Sequence, residues 1–296
     1  MSLPKSIRLR NERIAESELI LNEDGSVFHL RLQPAMVADT VIVVGDPNRV
    51  PKVSMYFDRI DFQVSSRELV THTGVLNGKR ISVISSGMGT DNVELLMTEL
   101  DALVNVDLKT RQVNKKLKSL NIIRIGTSGC LQPDIPLDAI LVSKAALGLD
   151  TLMAFYNWNH SNEAEILVSK VQRSIGLPFK PYFAEASSKL LSHFQAASHF
   201  EGLTITCPGF YAPQGREVRL KPAMTNYLDK LQKLDSSFGR FTNFEMETAG
   251  YYAMAKMLGH EMISLNALIA NRAKQTFSSF PEKAVDNLIQ TVLEKL

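Results

Sequence analysis

Arg124 stands inside an apolar run, "NIIRIGTSGC" (121–130), and Gly126, Thr127, Ser128 and Gly129 follow it. A guanidinium in such a run needs an anionic partner if it is buried. One charge, two hydroxyls and exposed backbone N–H groups make a suitable inventory for phosphate. A structural ion pair would also satisfy Arg124, but it would leave the Gly-Thr-Ser-Gly run unexplained. Two more strand-like runs end on glycine. In "VIVVGDPNRV" (41–50), Gly45 lets the backbone approach a ligand and Arg49 follows one turn later; "SSGMGTDN" (85–92) has the same small-residue character. Taken alone, the first reads as an Asp-Pro turn with a solvated arginine, and the second as either a ligand-hugging turn or a tight strand-to-helix turn. The chain has no GxxxxGK[ST] pattern, and no GxGxxG opens its first helix, which argues against a P-loop NTPase and a dinucleotide fold.

Two other clusters could handle a flat heterocycle and a sugar. In "CPGFYAPQGREVR" (207–219), Gln214 and Arg216 share a face if extended, with Phe210 and Tyr211 just upstream. Aromatic rings to stack on, with an amide and a guanidinium for the edge, suit a base bearing carbonyls; a plain surface loop is the bland alternative. In "NFEMETAG" (243–250), Glu245 and Glu247 point the same way if extended, with Met246 between them. Read alone, this stretch is a solvated helix start, because acidic residues suit a helix N-terminus.

The elements that must position these clusters are short β-branched runs at 40–45, 80–86, 121–126, 139–143, 203–206 and 262–268. Several are continuously apolar, as strands covered on both faces are. Between them, Val93, Leu96, Met97, Leu100, Leu103 and Val104 form a helical stripe over 91–104, and Val285, Leu288, Ile289, Val292 and Leu296 form another at the end. The alternation predicts an α/β sheet covered by helices. With 296 residues, 45% of them hydrophobic, and no Gly/Ser-rich linker, one large domain is expected, preceded by a polar extension over 1–27. The lysine-rich segment 105–120 lacks interleaved aromatics and reads as a solvated helix or loop. A balance of 33 basic and 31 acidic side chains suggests neither a nucleic-acid nor a membrane-surface partner. Cys130 and Cys207 match no disulfide framework or zinc spacing. The charged N-terminus lacks an apolar signal core, so a cytoplasmic protein is expected.

Taken in order, "VVGDPNRV", "SSRE", "RIGTSG", "FYAPQGR", "NFEMET" and "IANR" resemble the nucleoside phosphorylase family of the trimeric-to-hexameric type, nearest its uridine phosphorylase branch. The resemblance covers about residues 28–296 and implies a single-domain phosphorylase/hydrolase-like α/β fold, its central mixed sheet partly curled into a barrel and flanked by helices. It gives Gly45, Arg49, Arg124 and Thr127 to phosphate, joined by Arg67 from a neighbouring subunit. Gln214 and Arg216 match the pair that reads a uracil edge, Phe210 the ring beside the base, and Arg272 an arginine that supports that pair. Met246 and Glu247 match ribose contacts, with Glu245 shaping the same turn. His29, in "FHLRL", matches a histidine that crosses a dimer interface to the 5′-hydroxyl. Ser128 stands where the uridine enzymes usually carry a second threonine and keeps the hydroxyl. Glu68 matches a glutamate with which some bacterial relatives hold potassium between subunits, whereas Asn92 replaces their serine.

The resemblance therefore implies reversible phosphorolysis of uridine to uracil and ribose 1-phosphate, a step of pyrimidine nucleoside salvage. Inorganic phosphate is the co-substrate, no other cofactor is required, and the assembly is a homo-dimer or a hexamer built as a trimer of dimers. Purine phosphorylases of this type carry an aspartate in the segment matching "LIANR", where this chain has Asn271 and no carboxylate. A broader or purine nucleoside phosphorylase and a non-catalytic nucleoside-binding module are the alternatives.

Overall fold

Each of the six β-branched runs forms a strand. The computed structural model describes residues 13–296, so the first twelve positions of the expected 1–27 extension lie outside the described residues. Two compact units emerge. One runs to Arg124 and includes Met254–Met262; the other comprises Ile125–Ala253 and Ile263–Leu296.

The first unit is built from β1 (Thr40–Val44), α1 (Arg49–Ser54), β2 (Arg59–Ser66), β3 (Leu69–Leu76), β4 (Lys79–Ser85) and α2 (Thr90–Asn105). Strand β1 pairs parallel with β4, and β4, β3 and β2 follow as an antiparallel meander. Val41, Ile42, Val43 and Val44 are all buried, which is what a continuously apolar strand requires. Helix α2 buries Val93, Leu96, Met97, Leu100 and Leu103 of the expected stripe, leaves Val104 half-buried, and buries Glu99 beside them. The lysine-rich segment differs from its reading: it opens with a hairpin of β5 (Val106–Asp107) and β6 (Gln112–Val113). Asp107 closes the turn by accepting from the backbone N–H groups of Lys109 and Thr110 at 2.9 and 3.0 Å. The chain before the sheet ties onto this hairpin, with Ile14 N–H donating to the Arg111 carbonyl at 2.8 Å and the Arg111 guanidinium donating to the Leu19 carbonyl at 2.5 Å.

Strand β7 (Asn121–Cys130) starts in the first unit and continues into the second. The second unit then adds β8 (Ile140–Gly148), α3 (Asn162–Ile175), β9 (Tyr182–Glu185), α4 (Ser188–Phe194), β10 (Phe200–Thr206), α5 (Tyr227–Gln232) and β11 (Phe241–Glu245). Helix α6 (Thr248–Leu258), β12 (Glu261–Asn271), β13 (Thr276–Phe277) and α7 (Pro281–Glu294) complete the chain. Strands β8, β10 and β11 run parallel, whereas β7 pairs antiparallel with β11 and β12 antiparallel with β8. A further pairing of β12 with β7 closes these five strands into a barrel. The fold class is thus α/β: a mixed sheet that closes in part into a barrel, with helices on its flanks. Outside the barrel, Leu167, Val168 and Val171 of α3 and Leu231 of α5 pack in one apolar cluster with Leu203, Ile205 and Phe244. Full burial of one such side chain contributes about 1.5–3 kcal/mol. Among the described residues no helix is long and apolar enough to cross a membrane.

Candidate active site

The Glu-Met-Glu stretch lies at the exit of β11, and both glutamates are buried rather than solvated. Glu245 ends the strand, and its carboxylate turns back onto the start of α6. It accepts from the Glu247 N–H at 3.0 Å, the Thr248 N–H at 2.9 Å, the Thr248 hydroxyl at 2.9 Å and the Thr206 hydroxyl at 2.7 Å. A charge at a helix N-terminus is favourable, and here it also satisfies amides that the first helical turn leaves unbonded. Glu245 therefore holds the turn, and Glu247 is the carboxylate that the turn carries.

The barrel interior behind this turn is polar, with each of its five strands contributing a side chain. Asn266 of β12 donates from its amide to Ser143 Oγ on β8 at 3.2 Å and to Ser264 Oγ at 3.3 Å. Thr204 of β10 donates to Asn243 Oδ1 on β11 at 2.8 Å, so in its 2.5 Å contact with Ser143 it must accept. Asn243 Nδ2 then donates to Ser128 Oγ on β7 at 3.0 Å. By the same accounting Ser264 donates to Thr248, 2.9 Å away, and Thr248 to Glu245. Two directional chains thus leave the Asn266 amide, one ending on Ser128 and the other on Glu245. Ser128 accepts from inside the barrel, which leaves its own hydrogen to donate elsewhere.

Gln214 and Arg216 do come together, though not as an extended pair. Gln214 ends a short 3-10 turn (Ala212–Gln214), Gly215 adopts a left-handed φ of 66°, and the chain doubles back. Arg216 Nη1 donates to Gln214 Oε1 at 2.6 Å and to the Phe210 carbonyl at 2.5 Å. Its guanidinium lies over the Phe210 ring, 3.8 Å from the centroid. Arg272 donates to the Gly215 carbonyl at 3.2 Å and so holds the turn from behind. Burial, and after it the charge of Arg272, lowers the Arg216 pKa, although an arginine remains protonated. The Tyr227 hydroxyl donates to the Pro213 carbonyl beneath the turn, and burial raises its pKa. Burial also pushes the Cys207 thiol up to about 12, so this buried cysteine is an inert packing residue. Asn271 is committed to structure: its amide donates to the Gln132 and Ile135 carbonyls, both at 3.0 Å, and accepts from the Lys274 N–H.

The first unit carries the other candidates except Thr127. Gly45 follows β1, and a Cβ added to it would stand 3.5 Å from the Gly87 carbonyl oxygen beyond β4; Arg49 opens α1. Arg67 is exposed at the tip of the β2–β3 hairpin with a left-handed φ of 54°, a conformation that non-glycine residues seldom take. Next to it, Glu68 and Asn92 both press on Gly87, where an added Cβ would stand 2.9 and 2.6 Å from them. Asn92 Nδ2 donates to the Met88 carbonyl at 3.2 Å. Arg124, on β7, is 5% exposed, and Thr127, further along the same strand in the second unit, is half-buried. His29 is half-buried, and its ring nitrogen Nδ1 lies 2.7 Å from Glu99. Sequence reasoning did not single out Glu99, Asn243, Thr204, Asn266 or Tyr227. Asn243 opens the quoted "NFEMETAG" stretch, and the other four lie within apolar or unremarkable runs; the partners of all five are fixed only by the tertiary fold.

Similarity to known proteins places the chain in a family. It belongs to the phosphorylase superfamily, whose family model matches residues 39–296. It is similar to a uridine phosphorylase of Thermococcus kodakarensis, 29% identical over 276 residues, covering 92% of this chain and 87% of that one. A DeoD-type purine nucleoside phosphorylase of Chromobacterium violaceum is 26% identical over 273 residues, covering 88% and 98%. Among solved structures, a Trypanosoma brucei nucleoside phosphorylase described as showing uridine phosphorylase activity aligns with a TM-score of 0.85 at 28% identity, covering 94% of this chain and 99% of that one.

Proposed function

We propose that this chain is a uridine phosphorylase, a pentosyltransferase that converts uridine and phosphate to uracil and ribose 1-phosphate. The observation that carries the reading is the Arg216–Gln214 pair. Gln214 Oε1 accepts from Arg216 and keeps a second lone pair, while Gln214 Nε2 and the remaining Arg216 N–H groups still donate. Donor, acceptor and donor in that order complement the carbonyl, imide N–H and carbonyl of a uracil edge. Hypoxanthine has no second carbonyl there. Asn271 weighs against a purine-type proton donor as well, since it carries no acid and its amide is already bonded.

In the reaction, a phosphate oxygen forms a bond to C1′ as the C1′–N1 bond breaks, and the sugar passes through an oxocarbenium-like state. The electron pair of the broken bond enters the base, so negative charge grows on its carbonyl oxygens, and uracil later takes up a proton. Arg216 lies where that charge develops and stabilises it, as donors in an oxyanion hole do. Phosphate falls to Gly45, Arg49, Arg124 and Thr127, with Arg67 of the partner subunit. Glu247 and Met246 hold the ribose, and Ser128 donates towards the nucleoside. Phosphate is consumed as co-substrate, and no covalent intermediate on the chain is needed.

The test is release of free base from uridine, thymidine and inosine, with and without phosphate. Phosphate-dependent cleavage of uridine with inosine a poor substrate is expected. Inosine cleaved as fast as uridine moves the chain to the purine reading, and binding without release makes it a nucleoside-binding module. Arg124→Ala should mainly destroy phosphate use, a loss of about 2–5 kcal/mol in the corresponding specificity constant; unchanged phosphate dependence removes Arg124 from the site.

A further inference from the structure

Glu99 lies within the apolar face of α2 and is only 8% exposed, yet its carboxylate bonds a loop far earlier in the chain. Its two oxygens accept from the His29 N–H at 3.0 and 3.1 Å, and Oε2 accepts from the Leu30 N–H at 2.8 Å. Oε1 also meets His29 Nδ1 at 2.7 Å. An ionised carboxylate only accepts, so Nδ1 carries the hydrogen. In the neutral ring the lone pair then sits on Nε2, and the side chain is 30% exposed. The rest of the loop is held as firmly. Asn22 Nδ2 donates to the Val27 carbonyl at 2.9 Å, and the Phe28 ring meets the imidazole edge-on with centroids 4.9 Å apart.

We propose that Glu99 is a positioning residue for the 5′ end of the nucleoside: by holding Nδ1–H, it presents His29 Nε2 as the acceptor for the 5′-hydroxyl. The proposal rests on the uridine phosphorylase reading, in which His29 serves the ribose bound by a neighbouring subunit. Without the carboxylate the ring could carry its hydrogen on either nitrogen, and the loop amides would lose their common acceptor. A carboxylate behind a functional histidine changes affinity or activity by about 10- to 100-fold when the histidine binds a metal, and the low end of that range is expected for a hydroxyl.

The experiment compares kcat/KM for uridine and for 5′-deoxyuridine, which lacks the hydroxyl in question. In Glu99→Gln the side chain can donate to Nδ1 as well as accept from it, so the ratio of the two constants should fall about tenfold, through KM for uridine rather than kcat. His29→Ala should remove the preference for uridine, and adding Glu99→Gln to it should lower the ratio no further. Should Glu99→Ala fail to fold, Glu99→Gln, which keeps an accepting oxygen and nearly the same shape, still reads the ratio. Equal losses on both substrates, or a preference that survives His29→Ala, overturn the proposal while leaving the phosphorylase reading standing. A wild-type chain that releases no uracil from uridine overturns both.

Discussion

Glu99 in the first unit and Glu245 in the second are both buried carboxylates that accept from backbone N–H groups, but they reach over very different lengths of chain. Glu245 bonds the amides two and three residues ahead of it and two threonine hydroxyls at the barrel exit. Glu99 bonds a loop 69 and 70 residues earlier. Glu245 also terminates a chain of hydrogen bonds that leads from Asn266 on β12 through Ser264 to Thr248 at the start of α6. Glu99 stands alone among apolar neighbours on its helix. A local carboxylate thus builds a turn, whereas a distant one pins a loop and the ring that the loop carries.

The largest expected effect follows from that contrast. Glu245→Ala leaves two amides and two hydroxyls without their acceptor and breaks the end of the barrel network. It should destabilise the protein by about 3–5 kcal/mol in urea unfolding, since buried groups stripped of a charged partner lose several kcal/mol. Glu99→Ala should cost less, about 2–3 kcal/mol, because the loop it holds can reach water. The comparison breaks if the order of the two is reversed. Hydrogen exchange sharpens it: Glu99→Ala should expose the amides of His29 and Leu30, and Glu245→Ala those of Glu247 and Thr248.

A smaller effect probes the network itself. Ser128→Ala removes the acceptor of Asn243 Nδ2 but leaves every bond upstream of Asn243 intact. A loss of about 1 kcal/mol is expected, near the net value of one hydrogen bond. Ser128→Thr keeps the hydroxyl and should recover most of it. If Ser128→Ala is as damaging as Glu245→Ala, the two arms of the network are not separable as drawn.

The same contrast explains what could be read in the sequence. Strands β1 and β4 are legible to within one residue at each end, β1 as an apolar run buried from Val41 to Val44 and β4 through its buried β-branched Ile81, Val83 and Ile84. Strands β7 and β8 extend beyond their expected ends at 126 and 143, to Cys130 and Gly148. The apolar criterion stops at Thr127 on β7, where small and polar residues take over, and Ser128 just beyond it belongs to the polar barrel interior. The Glu-Met-Glu stretch looked like a solvated helix start because its burial depends on Thr206 and Thr248, which no spacing rule connects. Gln214 and Arg216 meet through the left-handed Gly215 rather than through an extended chain, a turn that the glycine permits but does not announce. Glu99 was invisible for a related reason: a single acidic residue within a helical stripe gives no sign of a partner so far away.

The smallest effect comes from a carboxylate that is not buried. Asp134, beyond β7, forms a bidentate pair with Arg240, just before β11, at 3.0 and 2.7 Å. Both side chains are about half exposed, which distinguishes this pair from Glu99 and Glu245. The hydrogen bond from Arg240 lowers the Asp134 pKa, outweighing its slight burial. A carboxylate whose pKa is lower in the folded than in the unfolded protein stabilises the fold above its unfolded value, about 3.9, and that contribution fades as pH falls through the folded value. Asp134→Asn should therefore destabilise the protein by about 0.5 kcal/mol at pH 7, after solvent screening, and by progressively less as the solution is acidified below pH 4. Raising salt should shrink the difference at pH 7 as well, because an exposed pair is screened within about one Debye length. Urea midpoints for the two proteins, measured across pH and salt, test this. A difference above 2 kcal/mol, or one that persists fully in acid, would mean that Asp134 behaves like the buried carboxylates, and exposure would then no longer separate the two classes.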